Sequence, residues 1–511
     1  MKKSIIIKSS NIFIVLLFCI VVFSTSCKKY LYEAPISQTY SEKFWTSETS
    51  VNQGALAMYV QLRNCMRSGN AHFVFGDLAA GLFNCSYNAD WTLNAVKSTN
   101  NPPFNFSYVP YQEGNLQDWS RFYKLIAQCN LMVQNVPAMK TSLFSSPAAK
   151  NSYVGEALFM RAYAYFYMSR VWGDPVYVSQ TYNDVDYGRI PGVARSPQAK
   201  VFNYCLTDLK NAATYLDYAN GDLTQSIRAN KGTVYALMAH IYAWEQKYDS
   251  AHIYCQKVIN EGGYTLEPMS SYAEIWKGQA SNESIFELPM MSNDISSTAE
   301  TSFSFFRTFL KGSLIDGNRN NAWVIPVGGF TDWVFGDKTD ARFTTMLQHV
   351  PAANGDLEGY LMLKYANFKY QTPATQSNPY INNNLVLLRL SDIVLLDAEA
   401  LASIGNIEGA RSQLKLTEQR AGITSYLNPA NQYDMLDEVI AERGRELVGE
   451  GCWFYDLIRT ESRQGWLEGG SGYPHDRLSA VNQGYYWPLD MASLFPQDNL
   501  LTQNTWWAAH K

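Results

Sequence analysis

Between Asn230 and Tyr264 one pattern occurs twice, and it restricts the fold more than any other feature of the chain. Tyr235, Met238, Ala239 and Tyr242 come first; after a turn at Gln246-Lys247 come Tyr248, Ala251, Cys255 and Val258. Apolar residues at intervals of three and four mark one face of a helix. Rings alternating with alanines at this spacing predict a tetratricopeptide-type pair, in which Ala239 and Ala251 let two helices approach while the rings fill the space beside them. One such pair cannot bury its own faces, and about three are needed for a stable stack. Ile393–Thr417 offers a weaker copy, with Ala398, Leu401, Ile407, Ala410 and Leu414 in corresponding places. Trp119–Val136 and Ser152–Val171 offer a further pair, and Gly173-Asp174-Pro175 ends its second helix. The expectation is a mainly α fold of interrupted repeats.

The intervening segments are of another kind. Thr49–Arg67 is helical, with Val51, Ala55, Met58, Tyr59 and Leu62 on one face. Residues 68–118 are irregular, rich in Asn, Ser and rings, and broken by Pro102-Pro103. Residues 265–385 read as a second loop-rich lobe with short strands such as Ser284–Pro289. A helix over Leu436–Gly449 and an irregular tail follow. The division expected is a leader over 1–26, a tether over 27–48, a helical region over 49–264 carrying the first lobe, and a second region over 265–511 carrying the other.

The leader is read from its chemistry. Lys2, Lys3 and Lys8 precede the unbroken apolar run Ile12–Phe23, and Ser24-Thr25-Ser26 leads to Cys27. Twelve residues make a helix of roughly 18 Å, too short for a bilayer core of about 30 Å. The segment is therefore a secretory signal, and a cysteine directly after small residues predicts lipidation at Cys27. Its loss takes the formal charge from −5 to −8, and the remainder holds no Lys/Arg cluster to track a phosphate backbone, which argues against nucleic acid. Of the other cysteines outside the leader, none forms a C-x-x-C pair. Buried thiols and a bridge such as Cys65–Cys85 are both left open by the spacing. Rings are abundant, with 34 Tyr, 25 Phe and 13 Trp, while charged residues make up 17%, below the usual quarter or so. Such a surface suits neutral polyhydroxylated ligands.

Catalytic and metal motifs are missing. The six histidines never fall at ligand spacing on a helix, and there is no H-E-x-x-H, G-x-S-x-G or P-loop. Asn183–Gly188 is a poor calcium loop, without the glycine register or the closing Glu. Glu442, Glu446 and Glu450 line one helical face and could suggest a glycosidase pair. Arg443 and Arg445 interleave with them, so ion pairing with arginines of a packed neighbour is the expectation. No cofactor is called for.

Six segments in order resemble the SusD/RagB family of surface lipoproteins: Arg161–Tyr177, Arg228–Tyr242, Asn282–Phe286, Leu388–Ala400, Glu442–Gly451 and Phe454–Arg459. They are similar to that family's R-A-x-x-Y-F with G-D-x-P, R-A-x-K, N-E-x-I-F, R-Y-A-E, E-R-R-R-E-L-x-x-E-G and F-x-D-L-x-R motifs. The tail departs, with Gln503-Asn504-Thr505-Trp506-Trp507 where the family often has Q-N-P-G-Y, and Lys28-Lys29 stands where acidic residues are frequent. The resemblance implies tetratricopeptide-like helices with an irregular ligand-binding lobe. It also implies anchorage in the outer membrane facing the cell surface, capture of oligosaccharide, and docking as a lid on a SusC-type TonB-dependent transporter. A receptor for peptides or another nutrient is the alternative, and a surface glycosidase a remote one; the reading here is a binder and not an enzyme. Loops on rigid scaffolds carry binding, so the contacts expected from local composition are Asn84, Tyr87, Asn88 and Trp91 in the first lobe and Trp323 and Trp333 in the second.

Overall fold

The computed structural model describes residues 44–84, 116–181, 192–218, 226–278, 281–290, 305–310, 322–336, 339–352, 357–375, 377–381, 383–424, 429–462 and 464–510. The leader, the tether up to residue 43, Cys27, Cys85, Tyr87, Asn88, Trp91 and Asn183–Gly188 lie outside the described residues.

The expected helices form close to their predicted limits. α1 (Glu48–Arg67) starts at Ser47, whose hydroxyl accepts from the Ser50 amide. The short α2 (Ala71–Gly76) follows, then α3 (Ser120–Ala138) and α4 (Pro147–Trp172). α4 opens on Ser146, which accepts from Ala149 N, with Pro147 in the first turn where its missing N–H costs nothing. It stops at Gly173, whose φ of 77° is open to glycine at no steric cost. The sequence places Ala157, Met160, Ala164 and Met168 on one stripe, but burial runs round the whole helix from Val154 to Ser169. The physical reason is that α4 is flanked by α3 and by α5 (Gln198–Tyr215). Helices hydrophobic all round lie at the centre of a structure.

α5 stands outside the sequence expectations above. Its buried Val201, Cys205, Leu209 and Ala212 nonetheless follow helical spacing. The repeat pair itself is α6 (Lys231–Trp244) and α7 (Tyr248–Glu261), with Ala239 and Ala251 fully buried as predicted. Tyr254 stacks on Tyr242 at 5.4 Å and lies 5.7 Å from Tyr235. α7 then packs directly on α10 (Leu390–Ser403), which leads to α11 (Ile407–Arg420) and α12 (Gln432–Leu447). The repeats are thus interrupted in sequence and continuous in space. Leu395, Ala398, Ala410, Leu414, Met435 and Val439 fill the seam of the last three helices.

The second lobe leaves after α7 and returns into α10. Among the described residues it carries α8 (Phe330–Val334), α9 (Ala341–Met346) and three small antiparallel sheets. β1 (Ser284–Pro289) falls on the predicted strand and pairs with β7 (Asn384–Arg389). β2 (Val324–Pro326) and β3 (Leu347–Val350) flank β4 (Gly359–Met362), and β5 (Phe368–Thr372) pairs with β6 (Ser377–Ile381). β7 runs straight into α10, so one backbone joins lobe to stack.

After α12 the chain forms α13 (Trp453–Arg459), a π-helical stretch over Gln464–Gly470, and the short α14 (His475–Leu478) and α15 (Thr505–Ala509). The tail docks despite its departure from the family pattern. Gln503 exchanges hydrogen bonds with the Leu489 backbone at 3.0 and 2.9 Å, and Asn504 Nδ2 donates to Trp487 O at 2.7 Å. α2 meets the turn after α12 so closely that a Cβ on Gly76 would lie 2.0 Å from Gly451 O. Cys65, Cys129, Cys205 and Cys255 are buried free thiols, and Cys452 is a half-buried one. Burial pushes the Cys65 thiol up to about 12, which makes it a packing residue more than a nucleophile.

Candidate functional site

The glutamate stripe resolves first, because it holds the second lobe in place. Glu442 meets Arg342 at 2.6 Å and Arg445 at 2.7 Å. Glu446 meets Arg389 at 2.6 Å, Arg342 at 3.0 Å and Arg420 at 2.5 Å, and Glu450 meets Lys364 at 2.6 Å and Arg389 at 2.8 Å. Glu283 adds a contact of 2.6 Å to Arg389. All of these residues are buried except Arg420, whose side chain is nonetheless only 5% exposed. The expected ion pairing is what forms, with partners on α9, β7, α11 and the β4–β5 connection. Burial alone would raise the Glu446 carboxyl; the guanidiniums of Arg420, Arg389 and Arg342 overcome it and hold it well below the usual carboxylate range.

A second set ties the helices together. Arg443 reaches Asp392 and Asp456 at 2.8 Å each, Asp392 reaches His240 at 2.7 Å, and Arg459 reaches Glu399 at 2.6 Å. Near the N-terminus Arg161 pairs with Asp208 at 2.8 Å, and Arg228 with Glu156 at 2.7 Å. These charges pair with one another.

Three segments converge beyond the network: 78–84, 322–336 and 464–473. Asn84 and Val324 exchange backbone hydrogen bonds at 2.8 and 2.7 Å, so the start of the first lobe joins β2 of the second. The Tyr473 hydroxyl donates to Ala79 O at 2.6 Å and Ser471 Oγ to Ala80 O at 2.8 Å, which adds the tail. α8 follows a turn at Gly328 and Gly329, with φ of 85° and 50°. It is pinned at its far end by Arg445 Nη1, which donates to Val334 O at 2.8 Å. A member of the buried network therefore fixes the helix that carries Trp333.

Trp333 is 45% exposed, and its neighbour Val327 is exposed as well. Its ring lies 5.3 Å from that of Trp466 at an interplanar angle of 31°. Both rest on buried Trp453, at 6.3 and 6.1 Å, and Phe330 stands 5.7 Å from both Trp453 and Trp466. Trp453 in turn packs on the α12 backbone at Gly444, where a Cβ would sit 3.1 Å from the indole. The result is a shallow aromatic ledge that is half in solvent and rigidly backed. Glu468 bonds His475 at 2.6 Å on its far side, which raises the exposed imidazole's pKa.

The sequence-selected residues divide accordingly. Asn84 is half-buried at the junction of the lobes, and Trp333 is the exposed ring. Trp323 is corrected: it is fully buried, 5.8 Å from Phe83 and 5.7 Å from Phe309, and has no face for a ligand. Its place is beneath the junction, as support. Trp323→Ala should lower stability by about 3–5 kcal/mol in chemical denaturation, the range for a large buried ring. Trp466 stands outside the contacts expected from local composition. The available signal was a tryptophan between Gly465 and Gly469-Gly470, in a stretch whose π-helical form is frequent at functional sites. Among the described residues no His, Cys, Asp and Glu cluster could hold a metal ion, and no helix is long and apolar enough to cross a membrane.

A stack of helix pairs bearing a loop-rich lobe with an exposed aromatic ledge defines a helical-repeat binding scaffold. Residues 348–507 match the model of the SusD family, and residues 29–243 match a model described as starch-binding associating with outer membrane. Together they span most of the chain, which belongs to the SusD/RagB family. A SusD-like protein of Formosa agariphila is 24% identical over 508 residues, covering 91% of this chain and 92% of its own. One from Bacteroides ovatus is 23% identical, covering 86% and 80%. Among solved structures, a SusD homolog from Bacteroides thetaiotaomicron superposes with a TM-score of 0.72 at 21% identity, covering 90% of this chain and 98% of that one. A SusD-like carbohydrate binding protein from Bacteroides vulgatus gives 0.62 at 19%, covering 81% and 83%.

Proposed function

We propose that this protein is a lipid-anchored, outer-membrane binder that captures oligosaccharide at the cell surface and passes it to a SusC-type TonB-dependent transporter. The observation that carries the reading is the solvent-facing Trp333–Trp466 ledge, backed by Trp453 and fixed through Arg445, in the lobe whose β2 is bridged by Asn84. Flat apolar faces stack on the C–H faces of pyranose rings, while the amide at the junction bonds hydroxyls. Tyr87, Asn88 and Trp91 follow Asn84 directly in sequence and are proposed to extend the same contact surface. Family membership supports the reading, as does the outer-membrane and starch-binding description of one matched model. A glycan array probed with the purified protein tests it; retention of no glycan overturns it.

Anchorage is proposed at Cys27. In Cys27→Ser the protein should fail to take up radiolabelled palmitate and should leave the membrane fraction; continued labelling sinks the claim. Transfer to a transporter is tested by gentle detergent extraction and pull-down, with a large barrel protein as the expected partner.

A further inference from the structure

A cavity lies between the first turns of α4, the end of α5 and the entry to α6, and none of its lining residues belongs to the ledge. It encloses about 470 Å³ and is lined among others by Ser152, Tyr153, Glu156, Tyr215, Tyr218 and Arg228. Pockets for small ligands commonly run from about 300 to 1,000 Å³.

The floor is fixed. Glu156 accepts from Arg228 Nη2 at 2.7 Å and Nε at 3.0 Å, and from the buried Tyr59 hydroxyl at 2.6 Å. Arg228 Nη1 donates to Asn52 Oδ1 at 3.1 Å. Three N–H groups of the five on a guanidinium are used in this way. The remaining two lie in the same rigid plane, and the side chain is 34% exposed. The walls are rings. Tyr153 stands 5.7 Å from the Arg228 guanidinium carbon, and Tyr215 is 39% exposed. Tyr218 is held by its hydroxyl on Glu261 at 2.9 Å.

The ion pair has a structural role of its own, since it joins α1, α4 and the α6 entry. That role does not account for three tyrosines around an open side of the pair. Charge selects the ligand. Glu156 balances Arg228, and Asp217 at the rim lies 3.9 Å from Lys231, so neither an anion nor a cation finds a field. A polar floor excludes an alkyl chain. Adjacent in-plane donors between aromatic walls match the adjacent hydroxyls and C–H face of a sugar, and a held guanidinium loses little freedom on binding.

We propose that this cavity is a second ligand site, taking one neutral saccharide ring. The proposal rests on the saccharide reading above, but not on the ledge. The test is saturation-transfer NMR on the full-length protein in detergent with glucose, galactose, mannose and xylose, in a Trp333→Ala/Trp466→Ala background. At least one sugar should give signals there. Adding Ser152→Trp, which fills the cavity, or Tyr153→Ala, which removes a wall, should reduce those signals at least fivefold, with thermal unfolding unchanged in one of the two. Absence of any signal in the background variant, or signals that survive Ser152→Trp, overturns the second site. If the wild-type protein nevertheless binds an oligosaccharide, the saccharide reading stands and only this inference falls. If the wild-type protein binds no saccharide of any length, both fall.

Discussion

Glu446→Gln should cost about 3–5 kcal/mol of stability, the range for removing one partner from a buried charge pair. The size follows from its contacts. One carboxylate faces Arg389, Arg342 and Arg420 and accepts from the Tyr272 hydroxyl at 3.0 Å. Glutamine keeps the shape but leaves three guanidiniums with one charge too few, among side chains closed off from bulk solvent. The loss is that of an unpaired charge, and it does not make the network a net source of stability, since the desolvation of these groups can offset their attraction. Urea unfolding at neutral pH measures it, and a loss below about 1 kcal/mol would mean that solvent reaches the site. The pH dependence has a definite sign. Glu446, Glu442 and Glu450 are all held below their ordinary range by neighbouring cations, against burial. Carboxyls with depressed values in the fold contribute stability above the unfolded value of about 4.3 and lose it as pH falls through the folded one. The wild-type protein should therefore weaken progressively below about pH 4.5, and Glu446→Gln should show a shallower acid slope, because one of the three groups no longer titrates.

This network also explains which parts of the chain could be read from its residues. Helical periodicity depends on neighbours three and four apart, so α1, α3, α4, α6, α7 and α12 were legible within a few residues. The strand Ser284–Pro289 was legible from its motif. Ion pairs depend on partners at any separation. That Glu442, Glu446 and Glu450 would be neutralised was legible, because a like-charge stripe cannot be buried alone. That Arg342, one hundred residues before Glu442, would do much of it was not. Charged residues of the family-like segments prove to be ion-paired: Glu283 with Arg389 and Glu399 with Arg459 join two such segments, while Arg161 and Arg228 pair with Asp208 and Glu156 outside them. These motifs record how lobe and stack are held together. They therefore indicate fold, and say nothing about the ligand. The site was legible only in its neighbourhood. Composition marked both lobes as aromatic, and the pairing of Asn84 with Val324 brings them together. Whether a given ring faces solvent or core depends on the packing of distant segments. Trp323 and Trp333 are ten residues apart with similar surroundings in sequence, yet one lies under Phe83 and Phe309 and the other on the surface.

That contrast supplies the second large effect. Trp333→Ala combined with Trp466→Ala should weaken oligosaccharide binding at least tenfold, read on the array and then by titration with the best glycan found. A tenfold loss needs only about 1.4 kcal/mol, and two stacked rings offer more than that: pairwise aromatic contacts alone reach about 0.5–1.5 kcal/mol beyond their buried area. Trp333 is nearly half exposed and contributes little to the core, so Trp333→Ala alone should move the melting temperature by only a degree or two, as surface changes within about 0.5 kcal/mol do. Trp466 is more enclosed, against Phe330 and Trp453, and its removal should cost more stability; Trp466→Phe retains a ring there and separates that cost from binding. Trp323→Ala is the internal control with the reverse profile, losing stability strongly and affinity only through the fold. If Trp333→Ala/Trp466→Ala leaves affinity unchanged while the array still reports a glycan, the ledge is not where that glycan sits. Contact would then have to be sought beyond Asn84, in the residues that continue the first lobe.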